Sequence, residues 1–134
     1  MTHVLDTNIV IASLNGNPEV LRRLGDLDLD DVILCAPVLA ELEYGACLSA
    51  RRQENLSKIR ALASRMRFQP FGASAAQRYG ELKAVLRRRG LVKSEFDLSI
   101  AAIALDLGAT LVSDDHAFHD GSVADLAVEN WLTR

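Results

Sequence analysis

Short apolar runs alternate with longer segments in which apolar residues recur every three or four positions. The run at residues 32–36 is continuously apolar, which is typical of a buried strand. Residues 3–5 and 110–113 each contain two neighbouring apolar residues and predict two further short strands. Residues 126–128 predict a further strand at a sheet edge. Strands separated by helical segments indicate an α/β fold with a mostly parallel central sheet.

The segments between the strands carry the periodicity of amphipathic helices. The predicted helices cover residues 8–14, 18–24, 38–48, 51–66, 74–89 and 96–107. The last of these is apolar almost all round, so it should be buried at the centre of the domain, while residues 68–71 predict only a short extended link. We therefore expect one domain over residues 1–134, with three α/β/α layers and a short, mostly parallel sheet.

Length and composition place the chain among ordinary globular proteins. Its 134 residues, 49% of them hydrophobic, are enough for one sizeable core. Neither a membrane-spanning apolar run nor a basic segment followed by an apolar one is present, so we expect a cytoplasmic protein without membrane attachment. Cys35 and Cys47 lack metal-ligand spacing, and both are predicted to be buried thiols.

The net charge of −3 hides an uneven distribution of charge. Between Arg51 and Lys93 there are twelve Lys or Arg residues and only two acids, whereas the rest of the chain is strongly acidic. A basic middle within an acidic frame favours a polyanionic partner such as a nucleic acid. The solvated faces of two amphipathic helices would produce the same pattern.

Acidic residues directly follow two of the predicted strands. Asp6 ends the first strand, and Asp114 and Asp115 follow the strand at residues 110–113. In a parallel sheet these positions lie at the carboxyl edge, where ligands bind. Each acid could instead be only a helix cap, and the sequence leaves both interpretations open.

Two further acids lie near the starts of helices. Asp97 adjoins a highly apolar helix, where a charge is costly unless it is paired or bound to a metal, and Ser94 offers a better helix cap. Glu41 and Glu43 point about 200° apart on one helix, so only one can face the site. Glu41 is chosen because it borders apolar positions near the start of the helix.

Several carboxylates in one pocket would repel each other strongly, and a divalent cation relieves that repulsion. All-oxygen ligands favour Mg²⁺ or Mn²⁺, whose usual work is phosphoryl chemistry. The pattern therefore predicts a metal-dependent site acting on a phosphate ester, with the basic segment holding the rest of a nucleic-acid backbone.

Five short motifs follow one another along nearly the whole chain. They are Val4-Leu5-Asp6-Thr7-Asn8, Ala40-Glu41-Leu42-Glu43-Tyr44-Gly45-Ala46, Asp97-Leu98-Ser99-Ile100-Ala101-Ala102, Gly108 to Asp115 with Phe118, and Val128-Glu129-Asn130-Trp131. In content and order they resemble the motifs of PIN-domain proteins, and most closely those of VapC-type toxins of bacterial toxin–antitoxin pairs.

The resemblance implies a Mg²⁺- or Mn²⁺-dependent endoribonuclease, usually a homodimer, that a small antitoxin protein inhibits in a heteromeric complex. Carried over by position, the acids of the family fall on Asp6, Glu41, Asp97 and Asp115. Asp115 stands three residues before Phe118, as the fourth acid should, although Asp114 remains open. Asn8 and Ser113 match supporting polar positions; the family more often has Thr in place of Ser113, which keeps the hydroxyl.

On this interpretation a metal-activated water cleaves RNA and leaves 5′-phosphate and 3′-hydroxyl ends. Asp6 and Asp97 would bind the principal ion, and Asp115 and Glu41 would hold a second ion or its waters. Candidate contacts to the RNA backbone are Arg51, Arg52, Arg87, Arg88, Arg89 and Lys93. The RNA target, the oligomeric state and the number of metal ions stay open.

Other functions fit the sequence less well. An aspartyl phosphatase would need a second Asp where Asn8 stands, and a receiver domain would need an acidic pair at the first strand and a Lys where Ser113-Asp114-Asp115 follows the late strand. A non-catalytic, regulatory PIN-domain protein that binds nucleic acid with its partner is harder to dismiss, because an intact acidic set permits catalysis without proving it.

Overall fold

A central sheet of five short strands organises the protein, of which the computed structural model describes residues 1–132. The strands are β1 (His3–Leu5), β2 (Val32–Cys35), β3 (Arg67–Gln69), β4 (Thr110–Val112) and β5 (Val128–Glu129). Their order across the sheet is β3-β2-β1-β4-β5, and every pairing is parallel. The predicted α/β fold with a short, mostly parallel sheet is confirmed.

Helices connect the strands at nearly the predicted positions. Within residues 1–132 they are α1 (Thr7–Leu14), α2 (Pro18–Gly25), α3 (Ala36–Leu48), α4 (Arg52–Ala63), α5 (Ala73–Arg88), α6 (Glu95–Leu107) and α7 (His116–His119), with a 3₁₀ turn at Leu29–Asp31. Local sequence fixes several ends: Pro18 opens α2, and Gly108 closes α6 with a φ of 62°. The helix predicted over residues 51–66 ends earlier, at Ala63.

Both faces of the sheet are covered. Every residue of β1, β2 and β4 is buried, although successive side chains point to opposite faces of a strand. Six residues of α6 are also buried, as its apolar sequence predicts. Burial on both faces confirms the three-layer arrangement. Among residues 1–132, no helix is both long and apolar enough to span a membrane.

Two sequence-based expectations are wrong. The predicted link at residues 68–71 overlaps β3, an edge strand whose three residues include two exposed ones, so it lacks the apolar run that marks the central strands. Cys47 is exposed, whereas Cys35 is buried as expected. Helix α3 buries Leu42 and Ala46, and Cys47 follows Ala46 by one position, which turns it about 100° away from that face.

The topology creates a crevice at the carboxyl edge of the sheet. From β1 in the centre, the chain adds β2 and β3 on one side and β4 and β5 on the other. The carboxyl ends of β1 and β4 therefore flank the switch point, which is where open α/β sheets bind ligands. Helices α5 and α6 run antiparallel, since Ser74 contacts Asp106 at one end and Lys83 contacts Glu95 near the other.

Candidate active site

Asp6 lies at this crevice, immediately after β1. Its backbone N–H donates to the carbonyl of Val112 at 2.9 Å, which continues the pairing of β1 with β4. One carboxylate oxygen accepts from the backbone N–H of Thr7 at 2.8 Å and caps α1, and the other accepts from the Ser113 hydroxyl at 2.6 Å. Asp6 is therefore both a helix cap and a buried acid of the crevice, with 7% of its surface exposed.

Ser113 joins the acids of two neighbouring strands. While its hydroxyl donates to Asp6, the same oxygen accepts from the backbone N–H of Asp115 at 3.0 Å. The Asp115 carboxylate in turn accepts from the N–H of Ala117 at 2.9 Å and caps α7. The ring of His119 lies 2.7 Å from the carbonyl of Ser113 through Nε2. No sequence motif singled out His119, because a lone loop histidine is not distinctive.

Asp97 reaches the crevice from the first turn of α6. Ser94 caps this helix by accepting from the backbone N–H of Asp97 at 3.0 Å, as the sequence predicts. The cap uses the main chain of Asp97, so its carboxylate is not needed to start the helix. Ala101, one turn further along, is small and buried.

Neighbouring carboxylates affect the pKa values of Asp6 and Asp97. Burial raises the pKa of Asp6; the hydrogen bond from Ser113 opposes the shift, and repulsion by Asp97 and Asp115 adds to it. Burial likewise raises the pKa of Asp97, Ser94 opposes the shift, Asp115 adds to it and Lys93 lowers it. Carboxylates from β1, α6 and the β4–α7 connection therefore form one crowded anionic site.

Asp114 and Asp115 have different surroundings. The Asp114 carboxylate accepts from the side-chain amide of Asn8 at 3.2 Å, in an exposed contact between α1 and the β4–α7 connection. Only Asp115 contributes to the raised pKa of both Asp6 and Asp97. This difference favours Asp115 as the acid of the site that follows β4, with Asn8 and Asp114 at its rim.

Glu41 stands apart from the three aspartates. It lines a cavity of about 290 Å³ between α1, α3 and α4, together with Ile11 and Asn15. Glu43 points elsewhere and lies 3.7 Å from Arg60 of α4, as expected from the helical offset. Within residues 1–132, Glu41 makes no hydrogen bond or ion pair with Asp6, Asp97 or Asp115.

The basic residues fall into separate groups. Arg51 and Arg52 are exposed at the turn from α3 to α4, whereas Arg87 and Arg88 are exposed at the end of α5, beside the start of α6. Arg89 donates to the carbonyl of Ser122 at 3.0 Å. Arg87 and Lys93 line one cavity of about 140 Å³ with Leu98, the neighbour of Asp97. The end of α5 thus adjoins the segment that leads into α6 and Asp97.

Lys93 is not a free surface cation. Its side chain is only 7% exposed, and its ammonium pairs with Asp120 at 3.0 Å and donates to the carbonyl of Ala117. The sequence-based suggestion that Lys93 contacts an RNA backbone does not fit this burial. In the sequence, a single lysine before a helix cap gives no sign that it will be buried in an ion pair.

The donor set of the site consists of oxygen atoms. Within the part of the chain that the structure describes, no three His, Cys, Asp or Glu side chains form a ready-made metal cage. Mg²⁺ seldom needs one, since it usually keeps several waters and binds through one or two carboxylates plus phosphate oxygens. Asp6, Asp97 and Asp115 supply the carboxylate oxygens of this crevice.

Comparisons with known proteins agree with this geometry. A family model described as "PIN domain" matches residues 3–123. "Ribonuclease VapC2" of Rickettsia felis is 33% identical, covering 98% of each chain, and "tRNA(fMet)-specific endonuclease VapC" of Shigella flexneri is 31% identical, covering 96% of each. A chain in a solved structure of VapBC2 from Rickettsia felis, bound to a DNA fragment from their promoter, superposes with a TM-score of 0.88 at 34% identity, over 98% of this chain and 99% of that one.

The family model covers most of the chain, and the matched residues include β1 to β4 and the acids of the crevice. The chain therefore belongs to the PIN-domain family and, within it, to the VapC group.

Proposed function

We propose that this protein is the endoribonuclease toxin of a VapBC-type toxin–antitoxin pair and that it cleaves RNA with the help of Mg²⁺ or Mn²⁺. The observation that carries the proposal is the convergence of Asp6, Asp97 and Asp115, from three different elements, on the crevice beside β1 and β4. The names of the ribonuclease relatives support the same reaction.

The residues present suit a hard divalent cation. Burial, and to a smaller extent repulsion by neighbouring carboxylates, raises the pKa of Asp6 and of Asp97, and a bound cation would offset both effects. Both oxygens of Asp6 already accept one hydrogen bond, but a carboxylate has about four acceptor positions and retains capacity for a metal. When bound, Mg²⁺ or Mn²⁺ activates water and neutralises the charge that develops on phosphate.

The protein's own groups have distinct tasks in this proposal. Asp6 and Asp97 are the principal metal ligands, and Asp115 holds a second ion or ordered water. Ser113 keeps Asp6 oriented and fixes the main chain of Asp115. Glu41, which lines the cavity between α1, α3 and α4, holds waters of that second ion. Asn8 and Asp114 form the rim on which substrate enters.

Removal of metal provides the direct test. We expect purified, antitoxin-free protein to cut total cellular RNA into discrete fragments in Mg²⁺ or Mn²⁺, and EDTA to abolish the cutting because the carboxylates alone cannot activate water or offset phosphate charge. Excess Mn²⁺ added after EDTA should restore the same fragments. Gel analysis and end mapping would identify the target and the expected 5′-phosphate ends.

Two results would contradict the proposed reaction. Cutting that persists in EDTA would exclude metal dependence. Tight RNA binding without cutting in either metal would instead favour the non-catalytic alternative, in which the protein binds nucleic acid together with its partner.

The α5 end is proposed to hold the RNA backbone. Neutralising both Arg87 and Arg88, as Arg87→Gln with Arg88→Gln, should weaken RNA binding about tenfold and reduce its salt dependence by about two counterions. Arg65→Gln with Arg67→Gln is the matched control, since both arginines are exposed and lie at the amino end of β3, whereas the acids follow the carboxyl ends of β1 and β4. Fluorescence anisotropy with single-stranded RNA at several salt concentrations would measure both effects. Equal losses of RNA affinity in the control would refute an RNA-binding surface localised at the α5 end.

The partner proposed for this toxin is a small antitoxin protein. Structures similar to this chain are toxin–antitoxin complexes, including VapBC2 from Rickettsia felis and VapBC-1 from nontypeable Haemophilus influenzae. A homodimer stays a prediction from the family, because the apolar residues of α4 and α5, such as Leu56, Ile59 and Leu86, are buried within the chain itself.

A further inference from the structure

The connection between α5 and α6 carries a buried charge that the reaction does not use directly. Lys93, in this connection, is only 7% exposed along its side chain, although lysine is among the residues least often buried. Its ammonium is paired with Asp120, and it also donates to the carbonyl of Ala117 in α7. A charge buried this far needs a specific set of partners.

Those partners are themselves fixed. One oxygen of Asp120 accepts both the backbone N–H of Ser122 at 2.9 Å and its hydroxyl at 2.6 Å, while the other faces Lys93. These hydrogen bonds, followed by the pairing with Lys93, lower the pKa of Asp120. Asp120 therefore remains a carboxylate and offers Lys93 a rigid anchor at the end of α7.

Lys93 lies between two acids of the active site. On its own segment it precedes Ser94, the cap that binds the main chain of Asp97. Its ammonium donates to the carbonyl of Ala117, and the N–H of Ala117 donates to the carboxylate of Asp115. The chain of contacts thus runs from Asp97 through Lys93 to Asp115 without entering the crevice.

We propose that Lys93 is a positioning residue, which locks the start of α6 onto α7 and thereby sets the separation of Asp97 and Asp115 for divalent-metal binding. The inference rests on the proposed metal-dependent function. Groups that orient metal ligands from outside typically change metal affinity by about 10- to 100-fold when they are removed. Lys93 would act in this way by linking the start of α6 to α7.

An effect of the charge of Lys93 can be distinguished from an effect of its position, because the two predict opposite changes in Mn²⁺ affinity. Lys93 lies near anionic ligands and lowers the pKa of Asp97, so its field alone disfavours a bound cation. If Lys93 acted only through this field, Lys93→Met would bind Mn²⁺ more tightly. If it positions the ligands, the same variant binds Mn²⁺ more weakly, by about tenfold.

The experiment measures Mn²⁺ binding to the full chain without RNA, by calorimetry, together with the Mn²⁺ concentration that half-saturates RNA cleavage. Lys93→Met and Asp120→Asn should both weaken binding, and the double variant should be little worse than either, because the two residues act as one unit. Lys83→Met is the matched control: Lys83 also reaches the first turn of α6, at Glu95, but is 46% exposed, so binding should change less than about twofold.

Each outcome decides the matter. Unchanged or tighter Mn²⁺ binding by folded Lys93→Met, while the unaltered protein binds Mn²⁺ and cleaves RNA, would overturn the positioning role alone. A lower melting temperature with unchanged Mn²⁺ affinity would show a merely structural role and overturn it too. Absence of Mn²⁺ binding by the unaltered protein would overturn the proposed function as well.

A charge-neutral variant covers the case in which Lys93→Met does not fold. Ser122→Ala removes the hydroxyl that fixes Asp120 but leaves both charges of the ion pair in place. Weaker Mn²⁺ binding by this variant would support positioning. Because the N–H of Ser122 still holds Asp120, unchanged binding would overturn the role of Lys93 when Asp120→Asn also binds Mn²⁺ unchanged.

Discussion

Asp6→Asn is expected to remove RNA cleavage and, at the same time, to make the metal-free protein more resistant to unfolding at pH 7. Cleavage should fall at least about a hundredfold, since a charged group that stabilises the transition state is lost. Stability should rise because the raised pKa of Asp6 means that its ionised form is unfavourable in the folded chain. Asparagine keeps the shape of the side chain and cannot ionise.

The pH dependence of this stabilisation follows from the direction of the shift. Below pH 3.8, the pKa of Asp6 in the unfolded chain, Asp6 does not destabilise the folded state, because the carboxyl is then protonated in both states. The cost grows as the pH rises from there and is complete above the folded pKa. The advantage of Asp6→Asn should therefore be full at pH 7 in EDTA and shrink as the pH approaches 4, as urea unfolding would show.

The control for Asp6→Asn is Asp30→Asn, which makes the same change on an exposed turn far from the crevice. It should leave cleavage unaltered. Cleavage that survives in Asp6→Asn would refute the assignment of Asp6 as a metal ligand. A metal-free variant less stable than the original at pH 7 would show that the hydrogen bonds to Ser113 and Thr7 outweigh burial and repulsion.

The sequence alone predicted the three inner strands of the sheet, β1, β2 and β4, and the place of Asp6, because these follow from local patterns. A continuously apolar run predicts a strand buried on two faces, and an acid directly after it must lie at the carboxyl edge of a parallel sheet. Ser94 was recognisable as the cap of α6 for the same kind of reason, since a hydroxyl three residues before Asp97 fits the capping pattern.

Features that depend on distant contacts were not predictable in this way. Strand β3 is three residues long and largely exposed, so only its pairing with β2 identifies it. The double role of the Ser113 hydroxyl, between Asp6 and Asp115, depends on a contact between Ser113 and Asp6, 107 positions earlier, which becomes visible only in the folded chain. The burial of Lys93 likewise depends on α7, which lies more than twenty residues further along.

Asp97→Asn is expected to abolish Mn²⁺ binding and to reduce RNA cleavage at least about a hundredfold without unfolding the protein. The fold should survive because Ser94 caps α6 through the backbone N–H of Asp97, a contact that the substitution leaves in place. Loss of the charge also relieves repulsion of Asp6. Circular dichroism would confirm the fold, and calorimetry and gel assays would measure the two losses.

Glu95→Gln separates the role of Asp97 as a ligand from the general effect of charge. Glu95 lies in the same first turn of α6, but its exposed carboxylate pairs with Lys83 at 3.3 Å. Removing it lowers the negative charge of the helix start by the same amount, and because exposed charges are screened, binding and cleavage should change by less than about twofold. Equal losses in both variants would mean that the helix start acts through its summed charge; a loss confined to Asp97→Asn would mean that the crevice needs this one carboxylate in its place.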